Sequence, residues 1–255
     1  MTLAAASIAA LTLLAGCGGS TEQSAGAKGD KTLIVGTEPT FPPFEFTEND
    51  KDVGFDIDLA QAICDKLGYK MEVKNLGFDA LIPALKSGQI DIIAAGMDAT
   101  EERKKQINFT DVYYQGGYTI VVPVGNTDIT GYDSIAGKTV GAQVGSKAAD
   151  YAREHGANVK EFDTNTQGWM ELEAGTCDAV SIDQAVAQYY LQQGGKDKLK
   201  TRRHAHNISW MSPWVSANDK QELNRSGQPG LKRTQGRRNR TTKSIRNGLA
   251  QAPNK

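Results

Sequence analysis

The sequence predicts an α/β fold of two lobes with a ligand cleft between them, and three observations lead there. From Lys31 onward short apolar strands alternate with amphipathic helices, the order of a mostly parallel sheet covered by helices. The alternation pauses at YTIVVP and then restarts, giving two units of roughly a hundred residues each. At 255 residues and 39% hydrophobic, the chain carries enough apolar material for a proper core in each. The lobes are expected at residues 32–119 and 120–200.

The elements follow in order. TLIVG, from Thr32 to Gly36, reads as a strand. Asp56 is placed to cap the next helix, whose stripe Leu59, Ala60, Ile63, Cys64 and Leu67 has helical spacing and stops at Gly68. Strand MEVKNL, helix FDALIPALKSG and strand DIIAAGM come next. Thr100 then precedes Glu101 and Glu102, acids favoured in a first helical turn, and the helix is expected to continue through ERKKQINF. The second unit reads as strand KTVGAQVG, a helix from Ser146 through YAREHG, strand VKEF, helix GWMELEAG, strand CDAVSID and helix QAVAQYYLQQGG. No internal repeat of fixed period is present.

Both ends of the chain differ from this body. The opening MTLAAASIAALTLLAGC is an apolar run too short for an ordinary membrane span and ends in small residues, the pattern of a secretory signal peptide. Leu14-Ala15-Gly16-Cys17 resembles the bacterial lipobox, after which cleavage leaves Cys17 as the lipid-carrying first residue. The alternative is that Cys17 is a small residue of an ordinary leader; no Lys or Arg precedes the run, a departure from such leaders. GGSTEQSAGAKGDK is small and polar, so residues 18–31 read as a flexible tether, and function is sought outside the cytoplasmic membrane. At the other end, residues 201–255 carry 12 Lys and Arg against 2 Asp and Glu, whereas residues 1–200 carry 17 against 28.

Of the remaining cysteines, Cys64 and Cys177 lie in apolar contexts and are expected as buried free thiols rather than a disulfide. Three histidines give no metal constellation, and no GxSxG, HExxH, Walker or Rossmann pattern occurs, so no metal or cofactor is expected.

Ligands of open α/β sheets bind at the carboxyl ends of strands and the amino ends of the following helices. Four segments put unusual residues there. GTEPTFPPFEF is stiffened by prolines and can present Phe41 as a flat wall beside Glu38, with Phe44 and Phe46 either wall or core. AAGMDATEERKK places Arg103 in a first helical turn beside the Gly96 carbonyl and the Asp98 carboxylate, where it is either part of an anion site or a solvated helix face. GAQVGSKAAD offers backbone donors and a hydroxyl at Ser146 and Lys147. CDAVSIDQ ends a strand on Asp183, which either pairs with an ammonium group or caps the helix from Gln184.

Together GTEPTFPPFEF, VGFDIDLAQAI, FDALIPALKSGQIDIIAAGM, TEERKKQINFTDVYY, GKTVGAQVGS and MELEAGTCDAVSIDQ resemble, in order and spacing, the amino-acid-binding family of extracytoplasmic solute-binding proteins, the receptors of ABC importers. The resemblance runs from about Lys31 to Lys200 and implies a two-lobed periplasmic-binding-protein-like fold. It implies that Arg103 clamps the ligand α-carboxylate with the N–H groups of Ser146 and Lys147. Asp183 and the Gly96 carbonyl would take the α-ammonium, Phe41 and Phe78 would sandwich the side chain, and Glu38 would read its chemistry. Many members carry Ser or Thr where this chain has Asp98. With Glu38 and Asp183 that makes three acids around one small cleft, which points to a basic ligand, with polar amino acids next. The expected partners are a free amino acid, an ABC permease and the membrane through the lipid anchor, with lobe closure and no covalent chemistry. The alternative on the same fold is an enzyme of the cyclic-acid dehydratase type.

In this family the chain returns after the second lobe to complete the first, and no such segment is legible after Lys200. Permitted codons for Asn224 to Arg240, shifted by one base, spell TDQVNQALNELKADGT, the helix and turn the family carries there, so much of this basic tail reads as out of frame. If SANDKQEL is itself in register, there is more than one shift. The alternative, a Lys/Arg tail that binds nucleic acid or another anionic polymer, lacks interleaved aromatics, and no nucleic-acid partner is expected.

Overall fold

The computed structural model describes residues 31–202, 205–211 and 215–217. The leader with Cys17, the tether up to Asp30, and residues 224–240 lie outside the described residues.

The first lobe begins with β1 (Thr32–Thr37), a small meander of β2 (Thr40–Phe41), β3 (Glu45–Glu48) and β4 (Lys51–Val53), then α1 (Phe55–Leu67) and β5 (Lys70–Asn75). A 3-10 turn at Phe78–Ala80 leads into α2 (Leu81–Lys86), β6 (Ile92–Ile93), α3 (Glu101–Lys104) and β7 (Ile107–Phe109). The second lobe holds β8 (Tyr114–Pro123), β9 (Thr139–Gln143), α4 (Lys147–Glu154), β10 (Asn158–Phe162), α5 (Asn165–Glu173), β11 (Ala179–Asp183), α6 (Gln184–Gln192) and β12 (Leu199–Thr201). Two strands close the described chain, β13 (Ala205–Met211) and β14 (Val215–Ala217).

The apolar stripe of α1 behaves as its spacing predicts. Ala60, Ile63 and Cys64 are buried against Leu33, Val35, Ile92 and Ala94 of the sheet, and each large side chain so buried contributes roughly 1.5–3 kcal/mol. The helix ends at Gly68, which takes the left-handed conformation at φ 74°. Its start differs from expectation. Gly54 is the cap, and Asp56 makes no capping bond but turns inward, fully buried. Gly54 has φ 120°, and a Cβ there would lie 2.4 Å from the Phe44 carbonyl oxygen, so only glycine fits.

The sheets are mixed rather than mostly parallel. The first runs β5-β1-β6-β14-β7, with β1 parallel to β5 and β6 and with β14 antiparallel to both its neighbours. The second runs β10-β9-β11-β8-β12, with β13 also paired to β8. Residues 107–109, expected to continue a helix, form β7 because β14 supplies an antiparallel partner that outweighs local helix propensity.

Two antiparallel strands connect the lobes. β8 leaves the first lobe and enters the second sheet at Tyr114, earlier than the expected boundary at 120, and β13 runs back along it from Ala205↔Tyr118 to Met211↔Tyr114. The chain then returns to the first lobe, where Val215 pairs with both Ile93 and Phe109. This corrects the expectation that the return is lost after Lys200. The return strand is too short, at three residues, to show a legible period.

Cys64 and Cys177 are buried and free, as expected, and burial pushes both thiols up to about 11.

Candidate functional site

The lobes meet over a pocket of about 430 Å³. The first lobe lines it with Glu38, Phe41, Glu45, Phe78, Ala95, Gly96 and Asp98; the second contributes Gln143, Ser146, Lys147, Ala148, Asn165, Ser181, Ile182 and Asp183. Eight of the nine residues expected at a ligand site are therefore brought together; the ninth, Arg103, is not among the lining residues and bridges the Asp98 and Gly145 carbonyls.

The loop after β1 sorts its aromatics by depth. Phe44 is fully buried in the core, while Phe41 stacks on it at 5.6 Å and presents its other face to the pocket. Phe46 leans instead on Tyr189 of α6, with ring centroids 5.6 Å apart. Opposite Phe41, Gly96 is held by its N–H, which donates to Asp56 Oδ2 at 2.8 Å, and Tyr113 donates its hydroxyl to Asp56 Oδ1. Gly96 adopts φ 51°, and a Cβ on it would stand 2.9 Å from Phe41 Cε1. Burial lifts the Asp56 carboxyl to about 7, against the opposing pull of the Tyr113 and Gly96 bonds.

Arg103 follows Thr100, whose side chain caps α3 by accepting the Arg103 N–H at 3.2 Å. Its guanidinium donates to the Asp98 carbonyl and, across the cleft, to the Gly145 carbonyl, each at 2.9 Å, and lies 5.4 Å from the centre of the Phe78 ring. Burial lowers its pKa below the ordinary value, with Asp98 the main opposing charge. A guanidinium has five N–H donors in a planar fork, so these two bonds fix its plane and leave donors over. The solvated-face alternative does not describe Arg103, which is bound between the lobes.

Gly145 leads into α4, capped by Ser146 Oγ accepting the Ala149 N–H at 3.1 Å. The Ser146 N–H donates to the Gln143 carbonyl at 3.2 Å, closing the turn, whereas the resemblance had implied that it faces the ligand. The Lys147 ammonium pairs with Glu154 at 2.9 Å. Asp183 occupies the N-cap position of α6 but makes no side-chain capping bond; it is 5% exposed and faces the pocket.

Glu38 and Asp98 are engaged by neighbours. Asp98 Oδ2 accepts the Tyr118 hydroxyl at 2.6 Å. Both Glu38 oxygens accept from Thr40 Oγ1, and Oε2 also accepts from Gln143 Nε2 of the other lobe at 2.8 Å. Burial nevertheless raises the Glu38 pKa. Asn165 extends this seam, donating its N–H to Thr40 Oγ1 at 3.0 Å and its side-chain amide to Gln143 Oε1 at 3.3 Å.

Sequence reasoning missed Glu45, Gln143 and Asn165. Glu45 and Gln143 lie inside segments already singled out, GTEPTFPPFEF and GAQVGSKAAD, and alternation along β3 would have turned Glu45 to the same side as Thr47 and away from Phe46. Asn165 follows Thr164, which forms a capping box with Gln167; that Thr-x-x-Gln spacing was a readable helix start.

Two α/β lobes joined by paired crossing strands and meeting over a polar pocket define a two-lobed ligand-binding protein. The family of bacterial extracellular solute-binding proteins, family 3, matches residues 33–248, and the chain belongs to that family. It is 39% identical over 183 residues to the arginine-binding extracellular protein ArtP of Bacillus subtilis, covering 70% of this chain and 71% of that one. It is 35% identical over 198 residues to the lysine/arginine/ornithine-binding periplasmic protein of Escherichia coli, covering 75% of each. An ancestral arginine-binding protein solved with bound arginine superposes with a TM-score of 0.77 at 41% identity, covering 86% of this chain and 97% of that one.

Proposed function

We propose that this protein captures an amino acid with a basic side chain, arginine foremost, outside the cytoplasmic membrane and delivers it to the permease of an ABC importer. The observation that carries the reading is the charge of the pocket. Glu38, Glu45, Asp98 and Asp183 are each at most 8% exposed and face one cavity. Against them stand Arg103 at the rim and Lys147, itself paired with Glu154. Buried charges require partners, and a ligand with one carboxylate and two cationic groups supplies them. The arginine-binding names of the two relatives and of the ancestral structure agree with this chemistry.

In this reading Arg103 takes the α-carboxylate with the Lys147 N–H, Asp183 and the Gly96 carbonyl take the α-ammonium, and Phe41 and Phe78 enclose the side chain. Closure removes the ligand from water and strengthens each charged contact. No bond is made or broken, so the protein acts as a receptor rather than an enzyme, and Cys17 carries its lipid anchor. Calorimetric titration against arginine, lysine, ornithine, glutamine and glutamate tests it: arginine binds tightest, and glutamate as the tightest ligand, or turnover of prephenate or arogenate, overturns it. Labelled palmitate taken up by the wild type and lost in Cys17→Ala tests the anchor.

A further inference from the structure

Asp56 is a buried carboxylate that the binding chemistry above does not use. It makes no capping bond and is not among the residues that line the pocket, yet both its oxygens are engaged. Oδ2 accepts the Gly96 N–H at 2.8 Å, and Oδ1 accepts the Tyr113 hydroxyl. The two donors belong to segments with different tasks. Gly96 lines the pocket, whereas Tyr113 immediately precedes β8, the first strand to cross between the lobes.

The Gly96 end needs an acceptor because of where the chain leaves the sheet. The Ala94 N–H still donates to the Gly36 carbonyl of β1 at 3.0 Å, but two residues later the backbone turns to φ 51° at Gly96. A buried N–H there requires a partner, and Asp56 supplies it. On another side a Cβ at Gly96 would stand 2.9 Å from Phe41 Cε1, so the residue is confined between the Phe41 ring and the Asp56 carboxylate.

Asp56 is itself anchored. Its own N–H donates to the Phe44 carbonyl at 2.8 Å, which ties the start of α1 to the turn between β2 and β3. The Tyr113 ring stacks on Phe55, with centroids 5.2 Å and planes 7° apart, and the Tyr113 N–H donates to the Met211 carbonyl at the end of β13. One carboxylate thus joins the pocket wall to the place where both crossing strands meet the first lobe.

We propose that Asp56 is the positioning residue of the α-ammonium site: its two bonds hold the Gly96 peptide, whose carbonyl takes the ammonium, in a fixed setting against Tyr113 and the crossing strands. This rests on the reading of the pocket as an amino-acid site. Asp56 does not touch the ligand. It acts through geometry, because a charge-assisted hydrogen bond weakens steeply when its acceptor is misaligned.

The same geometry identifies the substitution that preserves the site. Burial lifts the Asp56 carboxyl to about 7, so the fold already accommodates its neutral form. Asparagine has that shape. Its carbonyl oxygen can accept the Gly96 N–H, and its amide can donate to the Tyr113 oxygen while the phenolic proton turns to Met211 Sδ, 4.0 Å away. Alanine keeps neither bond.

The test compares arginine with δ-guanidinovalerate, which lacks only the α-amino group, by calorimetry on the full chain. In the wild type arginine binds on the order of 100-fold more tightly, the worth of hydrogen bonds to a charged group. Asp56→Ala lowers that ratio by roughly tenfold or more while δ-guanidinovalerate affinity stays within about threefold, and Asp56→Asn keeps the ratio within about threefold of the wild type. A merely structural role weakens both ligands alike and leaves the ratio intact. An unchanged ratio in Asp56→Ala overturns the assignment. A ratio lost equally in Asp56→Asn also overturns it, since charge rather than position is then at work.

Retained δ-guanidinovalerate binding shows that the alanine variant is folded. Tyr113→Phe tests the other bond without emptying the core, and decides the matter if the alanine variant does not fold. It frees one Asp56 oxygen and should lower the ratio about fivefold; an unchanged ratio there overturns the link to the crossing strands. A wild type that does not bind arginine overturns the reading of the pocket, whereas arginine bound with a ratio that no variant moves overturns only the role of Asp56.

Discussion

The two lobes are built from the same alternation of strands and helices, yet they close differently. The second lobe takes its sheet from the continuous stretch of β8 to β12, with β13 added along β8. The first lobe leaves a gap between β6 and β7 that is filled only when the chain returns as β14. One lobe is thus a nearly local structure, and the other depends on its last described strand. The difference teaches where damage to the chain is felt, and it extends into the pocket. The first lobe contributes three of the buried carboxylates, while the second contributes mostly neutral donors and hydroxyls with Asp183.

The largest effect should come from the strand that fills the gap. Ser216 pairs with Ile92 on one side and Asn108 on the other, so Ser216→Pro removes a donor from the middle of the sheet, at a cost of about 3 kcal/mol or more. Lys200→Pro acts on the edge strand β12 and should cost far less. Hydrogen exchange read by mass spectrometry should show protection lost across β1, β6 and β7 in the first variant, with β9 to β11 still protected. Equal loss in both lobes would mean that they unfold as one unit and the comparison fails.

Next in size is a pH dependence confined to the first lobe. Asp56 has its carboxyl raised from 3.8 to about 7 by burial. Between those values the folded state keeps a proton that the unfolded state has released, so stability falls as pH rises through the window, by up to about 1.4 kcal/mol per pH unit. Asp56→Asn should flatten this slope in urea unfolding between pH 4 and 7. Part of it remains, because Glu45 is raised in the same direction. An unchanged slope would remove Asp56 from the account.

A smaller effect attaches to Gly96. Alanine there must take φ 51° and place its Cβ 2.9 Å from Phe41 Cε1. The conformational cost is about 1–2 kcal/mol, and the displaced Phe41 ring should weaken ligand binding on the order of tenfold by calorimetry. Gly145→Ala on the other side, at φ 69° but with its nearest neighbour at 3.4 Å, should cost stability alone.

These contrasts also explain what was legible in the sequence. The periodicity of α1 and the glycine at its end were readable because both report local geometry. The residues of the pocket were readable in so far as they stand at strand ends, which is why Glu38, Gly96 and Asp183 emerged. Asp56 was misassigned as a cap because its true partners, Gly96 and Tyr113, are distant in sequence. The bond from Gln143 to Glu38 was unreadable for the same reason: it spans 105 positions. β14 was missed because three residues between two partners need no amphipathic pattern; their order comes from the gap they fill.

The smallest expected effect lies in the second lobe, under the pocket floor. Tyr132 shares a 2.8 Å hydrogen bond with Ser181 Oγ, which in turn donates to the Ala148 carbonyl at 2.9 Å. Ser181 and Ala148 both line the pocket, so Tyr132 reaches the ligand only through them. Tyr132→Phe deletes the bond to Ser181 and a longer one to the Thr119 carbonyl, both neutral, while the Ser181 bond to Ala148 remains, so stability should fall by about 1 kcal/mol. Ligand affinity should change less than threefold, because no charged contact moves. The matched change on the acidic side, Tyr118→Phe on β8, removes a donor from the first-lobe Asp98 carboxylate at 2.6 Å, and hydrogen bonds to charged groups are worth more, about 1.5–3 kcal/mol. Its effect on binding should therefore be the larger of the two. If Tyr132→Phe instead weakens ligand binding as much as Tyr118→Phe does, the neutral side of the pocket takes part in recognition as strongly as the acidic side, and the division of labour between the two sides is wrong.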